Sequence, residues 1–306
     1  MIEFPVIVTA VVSSFLLGLL AMGFTLQYIT LSVPNLAYGT IAFFTTYVTL
    51  TVTLLGLPPY VALPFAFLLA GSISFLLYKF MAFLRNRGMP LTALMISTLV
   101  FDFVIGAIMN IYADYISYTM KVFARMFSLT ENDFSVSLPG GLHMPGILPV
   151  SMLASILIVL IFHTALVKTK FGIAMRAVME NYSMAGVQGI NTERVLGFSW
   201  FFVGGIAGIA GSLYPMWFFM DPTVGTVMFV SIFASCVVGG LKSMYGSLVG
   251  GIVIGFSETF VTYGLVGVFG TWLWIYKSIT PMLIAAISLM VMPQGFGGLV
   301  SRLKER

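Results

Sequence analysis

Apolar runs follow one another along almost the whole chain, and this feature limits the possible folds more than any other. Most runs reach about 20 residues, the length of helix that crosses the hydrocarbon core of a bilayer. Of the 306 residues, 59% are hydrophobic and only 8% are charged, a composition that no soluble fold could bury. The sequence therefore predicts an all-α fold, a polytopic transmembrane helix bundle that forms a single domain over residues 1–306.

The runs predict about nine membrane spans, although short apolar pieces leave a count of eight or ten open. We place the spans at residues 6–29, 32–56, 60–81, 91–111, 148–167, 195–217, 226–238, 247–263 and 273–291. Pro34, Asn35 and Gly39 interrupt the start of the second run, so this early helix is expected to be broken, with an unwound or re-entrant beginning. Such a helix can line a substrate path, and a simple kink against neighbouring helices is the alternative.

The basic residues predict the orientation of the chain, because cytoplasmic loops are enriched in lysine and arginine. Most of them lie at or just after the end of the third run, in the loop at residues 168–194 and near the C-terminus: Lys79, Arg85, Arg87, Lys168, Lys170, Arg176, Arg194, Arg302, Lys304 and Arg306. We expect these regions in the cytoplasm, with the N-terminus outside. The long segment 112–146, with a Pro-Gly-Gly turn at 139–141, is expected outside. The net charge of +4 thus reflects orientation in the lipid bilayer, and we expect no nucleic-acid partner.

The loop at residues 168–194 is the longest polar-flanked interruption between apolar runs, and it has helical content of its own. A run of good helix formers, IAMRAVMEN, is followed by a shorter helical piece, YSMAGVQ. Gly189 suits a left-handed cap at the end of the second piece, and Asn191 or Thr192 can cap the helix that follows. The pattern predicts a short helix pair at the membrane surface, either a docking surface or an interfacial amphipathic linker.

The string G-x-A-M-R-A-V-x-E-N, followed by A-G-x-x-G-I-N-x-x-R-V, resembles the cytoplasmic signature of permease subunits of branched-chain amino acid ABC importers. In that family a short coupling helix docks into a cleft on the ATPase subunit. The matching positions are Gly172, Arg176, Glu180, Asn181, Ala185, Gly189, Ile190 and Asn191. The resemblance implies ATPase coupling for the last seven of them, and it favours docking over the linker interpretation.

The resemblance continues through the glycine-rich segments GGIAGIAGSL and VVGGLKSMYGSLVGGIVIGFSE, and more weakly through the first half of the chain. There NLAYG is similar to a motif of the family, with Leu36 and Tyr38 as departures. The resemblance implies a transport subunit rather than an enzyme, in a prokaryotic cell (inner) membrane. Branched-chain, aliphatic amino acids are the implied substrates, and urea or short amides are carried by close relatives.

The resemblance also implies partners. Two ATP-binding cassette ATPase subunits would bind ATP and Mg, whereas no cofactor is expected in this chain, which lacks the G-x-x-x-x-G-K-[ST] phosphate-binding loop. A second permease subunit, either a similar chain or another copy of this one, would complete the translocation pathway. A substrate-binding protein would deliver the solute from outside.

Six residues are candidates for the translocation pathway: Asn35, Gly39, Asp102, Gly251, Gly255 and Glu258. A carboxylate that faces the bilayer centre costs roughly 2.5 to 3.5 kcal/mol, so Asp102 and Glu258 should face protein or water. They would line the path or hold a gate, or they would only bond a neighbouring helix. Gly251 and Gly255 could expose backbone to the solute, but helix packing alone also explains such small-xxx-small pairs.

A secondary transporter or channel for a small solute such as urea or an amide is the alternative function. It would need an ion relay, for which Asp102 and Glu258 are the candidates. No catalytic or metal-binding residues are expected, since His143 and His163 are isolated and no nucleophile elbow is present. The single cysteine, Cys236, excludes a disulfide within the chain.

Overall fold

The structure, a computed structural model, describes residues 4–137, 143–292 and 295–297, with the backbone alone at 274 and 275. Eleven α-helices make up most of the described chain: α1 Phe4–Leu31, α2 Tyr38–Leu54, α3 Ala62–Asn86, α4 Leu91–Met120, α5 Ile147–Lys168, α6 Lys170–Glu180, α7 Tyr182–Val187, α8 Thr192–Leu213, α9 Val224–Gly239, α10 Met244–Phe269 and α11 Ile279–Val291. A small antiparallel hairpin pairs β1 Ser135–Ser137 with β2 His143–Pro145. The predicted turn at 139–141 and the basic residues Arg302, Lys304 and Arg306 lie outside the described residues. The predicted all-α helix bundle is confirmed.

Seven helices of the described chain are long and apolar enough to cross a membrane. They are Phe4–Leu31, Pro59–Asn86, Leu91–Met120, Ile147–Lys168, Thr192–Met216, Met244–Phe269 and Ile279–Gly297. Two further apolar helices, α2 with 17 residues and α9 with 16, are shorter. The chain is therefore a multi-pass membrane protein, as its composition predicted.

The centre of the bundle is formed by α1 and α8, most of whose side chains are buried. Helix α1 runs antiparallel to α10. Thr25 Oγ1 donates to Ser247 Oγ at 2.6 Å near the start of α10, and the Ser13 and Thr259 hydroxyls lie 3.4 Å apart farther along it. These hydroxyl pairs hold two otherwise apolar helices in register, because membrane helices lack a hydrophobic force that would select one register over another.

Small residues bring α3 and α8 together. A β-carbon on Gly204 would lie 2.4 Å from the β-carbon of Ser74, and one on Gly208 would lie 2.5 Å from the carbonyl oxygen of Ala66. Any larger side chain at these two glycines would push the helices apart. Gly204 and Gly208, which are four residues apart, form a small-xxx-small pair that packs α8 against α3.

Helix α4 is longer than predicted, and the external segment is correspondingly shorter. The fourth span was predicted to end at residue 111, but α4 continues to Met120 and is followed by Lys121, whose φ of 54° is left-handed. Asp114 on this extension is exposed and is paired with Arg125 at 2.7 Å. Asp114 and its polar neighbours end the apolar run in the sequence, but the helix continues through them. A charged side chain that is exposed and paired with a partner does not disturb helical backbone.

The last predicted span, residues 273–291, is not one continuous helix. A 3₁₀ helix, Thr271–Tyr276, precedes α11, which begins only at Ile279. Pro281 lies in the first turn of α11, where a missing N–H is tolerated; farther inside a helix it would remove a hydrogen bond and clash with the preceding turn. The proline therefore limits where the helix can begin, and Lys277 lies in the connection before it.

The segment between α4 and α5 is fastened to the bundle by Asp133. Its carboxylate accepts hydrogen bonds from the Tyr60 hydroxyl at 2.5 Å and from the Ile147 amide at 2.7 Å. Phe127 and Met220 form an antiparallel bridge to the connection between α8 and α9. The segment is thus a folded layer that contacts three parts of the bundle.

Candidate functional site

The chain between α1 and α2 is not helical at residues 32–37, as Pro34 and Asn35 predicted, whereas Gly39 already lies in the first turn of α2. Asn35 is fully buried and supports this break: its Nδ2 donates to Gln27 Oε1 at 2.9 Å, and its Oδ1 accepts from the Ala37 amide at 3.2 Å. The Nε2 of Gln27 is buried without a hydrogen-bond partner among the described residues. The non-helical segment is therefore held by side-chain hydrogen bonds, and the Gln27 Nε2 amide beside it can still donate a hydrogen bond.

Two side chains of α4 form hydrogen bonds with the non-helical segment before α2 and with the first turn of α2. Thr98 Oγ1 accepts from the Leu36 amide at 3.2 Å, and Asp102 Oδ1 accepts from the Thr40 hydroxyl. Thr98 and Asp102 stand one helical turn apart, so both point to one face of α4. Asp102 is only 5% exposed. These two side chains position the start of α2 and form one polar cluster with Asn35.

Gly39 lies beside this cluster, where α2 meets the start of α9. A β-carbon on Gly39 would lie 2.3 Å from the carbonyl oxygen of Gly225. The ring of Phe24 on α1 packs edge-on against Phe229 of α9, with centroids 5.7 Å apart. Three of the predicted pathway residues thus come together at the junction of α1, α2, α4 and α9.

Gly251 and Gly255, by contrast, lie in the contact between α10 and α1. Their β-carbons would lie 2.5 Å from the α-carbons of Gly18 and Ser14 respectively. Such close backbones leave no space for a solute between them. The structure therefore places both glycines in helix packing, the second of the two roles that the sequence allowed.

Glu258 lies farther along α10 and has a partner that Asp102 lacks. Its Oε1 is 3.3 Å from Lys277 Nζ, with the two side chains 8% and 26% exposed. Lys277 also lies over the ring of Phe218, 5.8 Å from the centroid. Among the described contacts, none joins Glu258 to Asp102, so the structure does not bring the two acids into one relay.

The loop between α5 and α8 folds into the predicted helix pair, α6 and α7. Asn181 caps α7 by accepting from the Met184 amide at 3.0 Å, and Asn191 caps α8 by accepting from the Arg194 amide at 3.1 Å. Gly189 has a φ of +83°, the left-handed conformation expected of a residue that follows a helix. The predicted caps at Gly189 and Asn191 are confirmed.

One side of the α6–α7 pair is buried and the other is exposed. Met175, Val178 and Ala185 are between 0% and 4% exposed, whereas Met184 and Val187 are 61% and 84% exposed. Ile190 is partly buried. The exposed side also carries most of the predicted coupling residues: Arg176, Glu180, Asn181, Gly189 and Asn191. The pair therefore rests on the bundle with an apolar and polar surface turned away from it.

The end of α3 is joined to this surface. The Arg85 guanidinium lies over the Tyr182 ring, 4.7 Å from its centroid, and donates to its hydroxyl at 3.1 Å. Asn86 Nδ2 donates to Glu193 Oε1 at 3.1 Å. A displacement of α7 or of the start of α8 would therefore reach α3 directly.

Comparison with known proteins agrees with the signature found in the loop. The family described as "Branched-chain amino acid transport system / permease component" matches residues 6–293, nearly the whole chain. The chain belongs to this permease family. Members of such a family are transport subunits rather than enzymes.

Relatives of the permease match it to different extents. The "Probable branched-chain amino acid transport permease protein LivH" of Methanocaldococcus jannaschii is 38% identical over 290 residues, which cover 94% of this chain and 90% of that protein. The "High-affinity branched-chain amino acid transport system permease protein LivH" of Escherichia coli K12 is 29% identical over 131 residues, which cover 42% of this chain and 40% of that protein.

A solved structure shares the fold of the permease. It is described as "PsaBC from Streptococcus pneumoniae in complex with Fab", and it superposes with a TM-score of 0.55 over 95% of this chain and 94% of that chain. The sequences are 13% identical, so the likeness concerns the fold alone.

Three polar residues of the permease's candidate sites were missed by the sequence analysis. Gln27, Thr98 and Lys277 each lie inside an apolar run, which is the same signal that identified Asp102 and Glu258. Uncharged polar residues are common in membrane helices, so Gln27 and Thr98 gain significance only from their buried partners. Lys277 is the one basic residue within residues 273–291 and could have been found from the sequence.

Proposed function

We propose that this permease is the membrane subunit of an ATP-driven importer of branched-chain amino acids. The surface of the α6–α7 pair supports this function more than any other feature. Val187 is 84% exposed there, on a short helix outside the long apolar helices, and the bundle does not cover it. An exposed apolar side chain with polar neighbours is typical of a protein-docking surface.

The permease would cross the membrane nine times as a single domain over residues 1–306. The seven long helices and the shorter α2 and α9 would supply these crossings. The basic residues Arg85, Arg87, Lys168 and Lys170 support the proposal that the α6–α7 surface faces the cytoplasm of a prokaryotic cell. The N-terminus then lies outside and the C-terminus inside.

The proposed assembly contains two ATPase subunits, which bind ATP and Mg, and a second permease subunit, either a similar chain or another copy. A substrate-binding protein would deliver the amino acid on the side opposite to α6 and α7. The segment between α4 and α5, which Asp133 fastens to the bundle, would lie on that same side of the membrane. These partners follow from the proposed importer class.

In the proposed mechanism, closure of the ATPase pair on ATP displaces the α6–α7 pair. The contacts of Arg85 with Tyr182 and of Asn86 with Glu193 transmit that displacement to α3. The bundle then changes between outward-open and inward-open states, and the ATPases bias the two populations by their differential contacts. The broken start of α2, which hydrogen bonds rather than continuous helix hold in place, is the part best suited to rearrange.

The experiment is purification of the tagged permease from its native membrane, with identification of the proteins that accompany it. An ATPase should copurify in stoichiometric amount. Val187→Asp should abolish its recovery, because a carboxylate would be desolvated in the docked surface. Val136→Asp is the matched control, since Val136 is an exposed valine on β1, outside the docking surface; it should leave the ATPase bound.

A different result would identify the alternative function. A permease that brings no ATPase with it, and that alone supports flux of urea or an amide in liposomes, would be a self-powered transporter or channel. The α6–α7 pair would then be an interfacial linker.

A further inference from the structure

A groove of about 310 Å³ lies between α5 and α10, with α1 behind it. Its walls are aliphatic, from Ile156 and Leu160 on α5 and from Leu248 on α10, and the buried Leu19 of α1 forms its floor. Ile156 and Leu160 are 56% and 62% exposed, so the groove opens away from the bundle. Both walls belong to helices long and apolar enough to cross the membrane. The α5–α10 groove therefore opens towards the hydrocarbon of the bilayer.

The length of the groove matches most of one leaflet. The groove extends along α5 from His163 to Ser155 and along α10 from Tyr245 to Ile252. At 1.5 Å per residue these stretches are about 12 Å and about 10 Å long. One leaflet contributes about 15 Å of hydrocarbon, half of the bilayer core. An acyl chain that enters from the membrane surface would therefore be covered through most of that depth.

The end of the groove nearest α6 is polar. His163 Nδ1 and the Tyr245 hydroxyl are 2.6 Å apart and join α5 to α10 across the groove. If the phenol donates this hydrogen bond, the neutral imidazole keeps its Nε2–H; if the imidazole donates it, the phenol keeps its O–H. Either tautomer thus leaves one donor that has no partner among the described hydrogen bonds.

Basic residues lie at the same end. Lys168 is the last residue of α5, and Lys242 precedes the start of α10 by two positions; both are exposed. Arg176 of α6 is also exposed, and it lies near enough to Tyr245 for its charge to act on the phenol. It forms no ion pair among the described residues, and none of the described residues that line the groove is acidic. This end of the groove therefore favours an anionic group.

We propose that the α5–α10 groove binds an anionic phospholipid. One acyl chain lies between the two helices, and the phosphate accepts hydrogen bonds from Arg176 and from the His163–Tyr245 pair. A basic pocket between membrane helices at the membrane surface suits the charge of a lipid headgroup. Because Arg176 belongs to α6, the bound lipid attaches the α6–α7 pair to the bilayer. This inference goes beyond the proposed function, which stands if the lipid site is wrong.

The test is native mass spectrometry of the permease, purified with the proteins that accompany it and titrated with phosphatidylglycerol or phosphatidylcholine of the same acyl chains. Phosphatidylcholine has the same phosphate, but its choline cation compensates the charge. The parent should bind one phosphatidylglycerol about fivefold more tightly than phosphatidylcholine, as expected for about one basic residue at the membrane surface. Arg176→Gln should remove most of this preference. Arg87→Gln, at an exposed arginine that follows α3, should leave it unchanged.

A second pair of variants tests the apolar part. Leu160→Trp fills the groove from an exposed position of α5, whereas Leu157→Trp places the same side chain at an exposed position that does not line the groove. The first should weaken the binding of both lipids several-fold, and the second should weaken neither. His163→Leu/Tyr245→Phe removes the polar pair without changing a predicted coupling residue. It should lower the preference for phosphatidylglycerol even if Arg176→Gln releases the ATPases.

Equal affinities of the parent for the two lipids would overturn the inference. So would a preference that Arg176→Gln and His163→Leu/Tyr245→Phe both leave unchanged. A Leu160→Trp complex that loses a permease subunit, but binds both lipids like the parent, would show that a second permease chain covers the groove in place of a lipid.

Discussion

Gly251 of α10 faces Gly18 of α1 so closely that a β-carbon on Gly251 would lie 2.5 Å from the Gly18 α-carbon. One turn along, Gly255 approaches Ser14 in the same way. The other glycine face of α10 meets α9, where a β-carbon on Gly250 would lie 2.3 Å from the Ser235 carbonyl oxygen. Helix α10 thus packs backbone to backbone against two neighbours, which makes its glycines determinants of assembly.

Gly251→Ala should destabilise the permease by about 1–3 kcal/mol, because the new methyl group meets backbone that cannot move aside. The matched control is Gly264→Ala on the same helix, where a β-carbon would meet nothing within 4 Å. That change should be neutral or slightly stabilising, since alanine is the better helix former. Thermal unfolding in detergent measures both. Equal melting temperatures for the two variants would contradict the close contact of α1 and α10.

The hydrogen bond between Thr40 and Asp102 should appear as coupling in a double-mutant cycle. Thr40→Val and Asp102→Ala should each lower stability, and the double variant should lose less than their sum by about 0.6 to 1.7 kcal/mol. Thr46→Val is the control, because the Thr46 hydroxyl bonds the Phe43 carbonyl within α2 at 2.8 Å. Its effect should add to that of Asp102→Ala. Additivity in both cycles would mean that Asp102 does not hold α2.

Gly189→Ala should weaken the connection between α7 and α8. A left-handed φ of +83° costs a residue with a β-carbon about 1–2 kcal/mol. Gly186 is also exposed but lies within α7, where a β-carbon would meet open space, so Gly186→Ala should stabilise the helix. Urea unfolding and recovery of the ATPase report on the two variants. A stabilising Gly189→Ala would show that the connection does not need the left-handed conformation.

Arg85→Ala should increase amide hydrogen exchange in Tyr182–Val187, because it removes both the stacking and the hydrogen bond that fasten α7 to α3. Arg87→Ala is the matched control, since Arg87 directly follows α3 and lies over Phe83 of that helix, 4.3 Å from the ring centroid, rather than over α7. Exchange measured by mass spectrometry should rise in α7 for the first variant alone. The same exchange rates in both variants would exclude Arg85 as a link to α7.

The parts of the candidate sites that the sequence predicted well depend on local signals. Asn191 caps α8 through an amide three residues away, and Gly189 has the backbone conformation that follows a helix end. The break before α2 was predicted for the same reason, since Pro34 and Asn35 act on their own backbone. Each of these signals operates within a few residues and does not depend on what packs against it.

Helix boundaries beyond the apolar runs were predicted less well. Helix α4 extends to Met120 because Asp114 and Arg125 pair outside the apolar part of the helix. Helix α11 begins later than predicted because Pro281 must lie in a first turn. In both cases hydropathy predicted which residues face an apolar environment, whereas the helix ends are set by the hydrogen bonds that the backbone can form.

The sequence by itself determined the helical membrane-spanning class and the α6–α7 pair, because the length and polarity of each run decide these two features. The family was indicated by the resemblance of the loop signature at residues 172–195 and is shown by the comparison with known proteins. Only the tertiary structure decided the partner of each buried polar group: Thr40 for Asp102, 62 residues apart, and Lys277 for Glu258. It also separated the glycines that pack α10 on α1 from the cluster around Asn35. The physical reason is that lipid and helix surfaces are equally apolar, so hydropathy cannot say which faces meet; close packing and single hydrogen bonds between distant residues decide it.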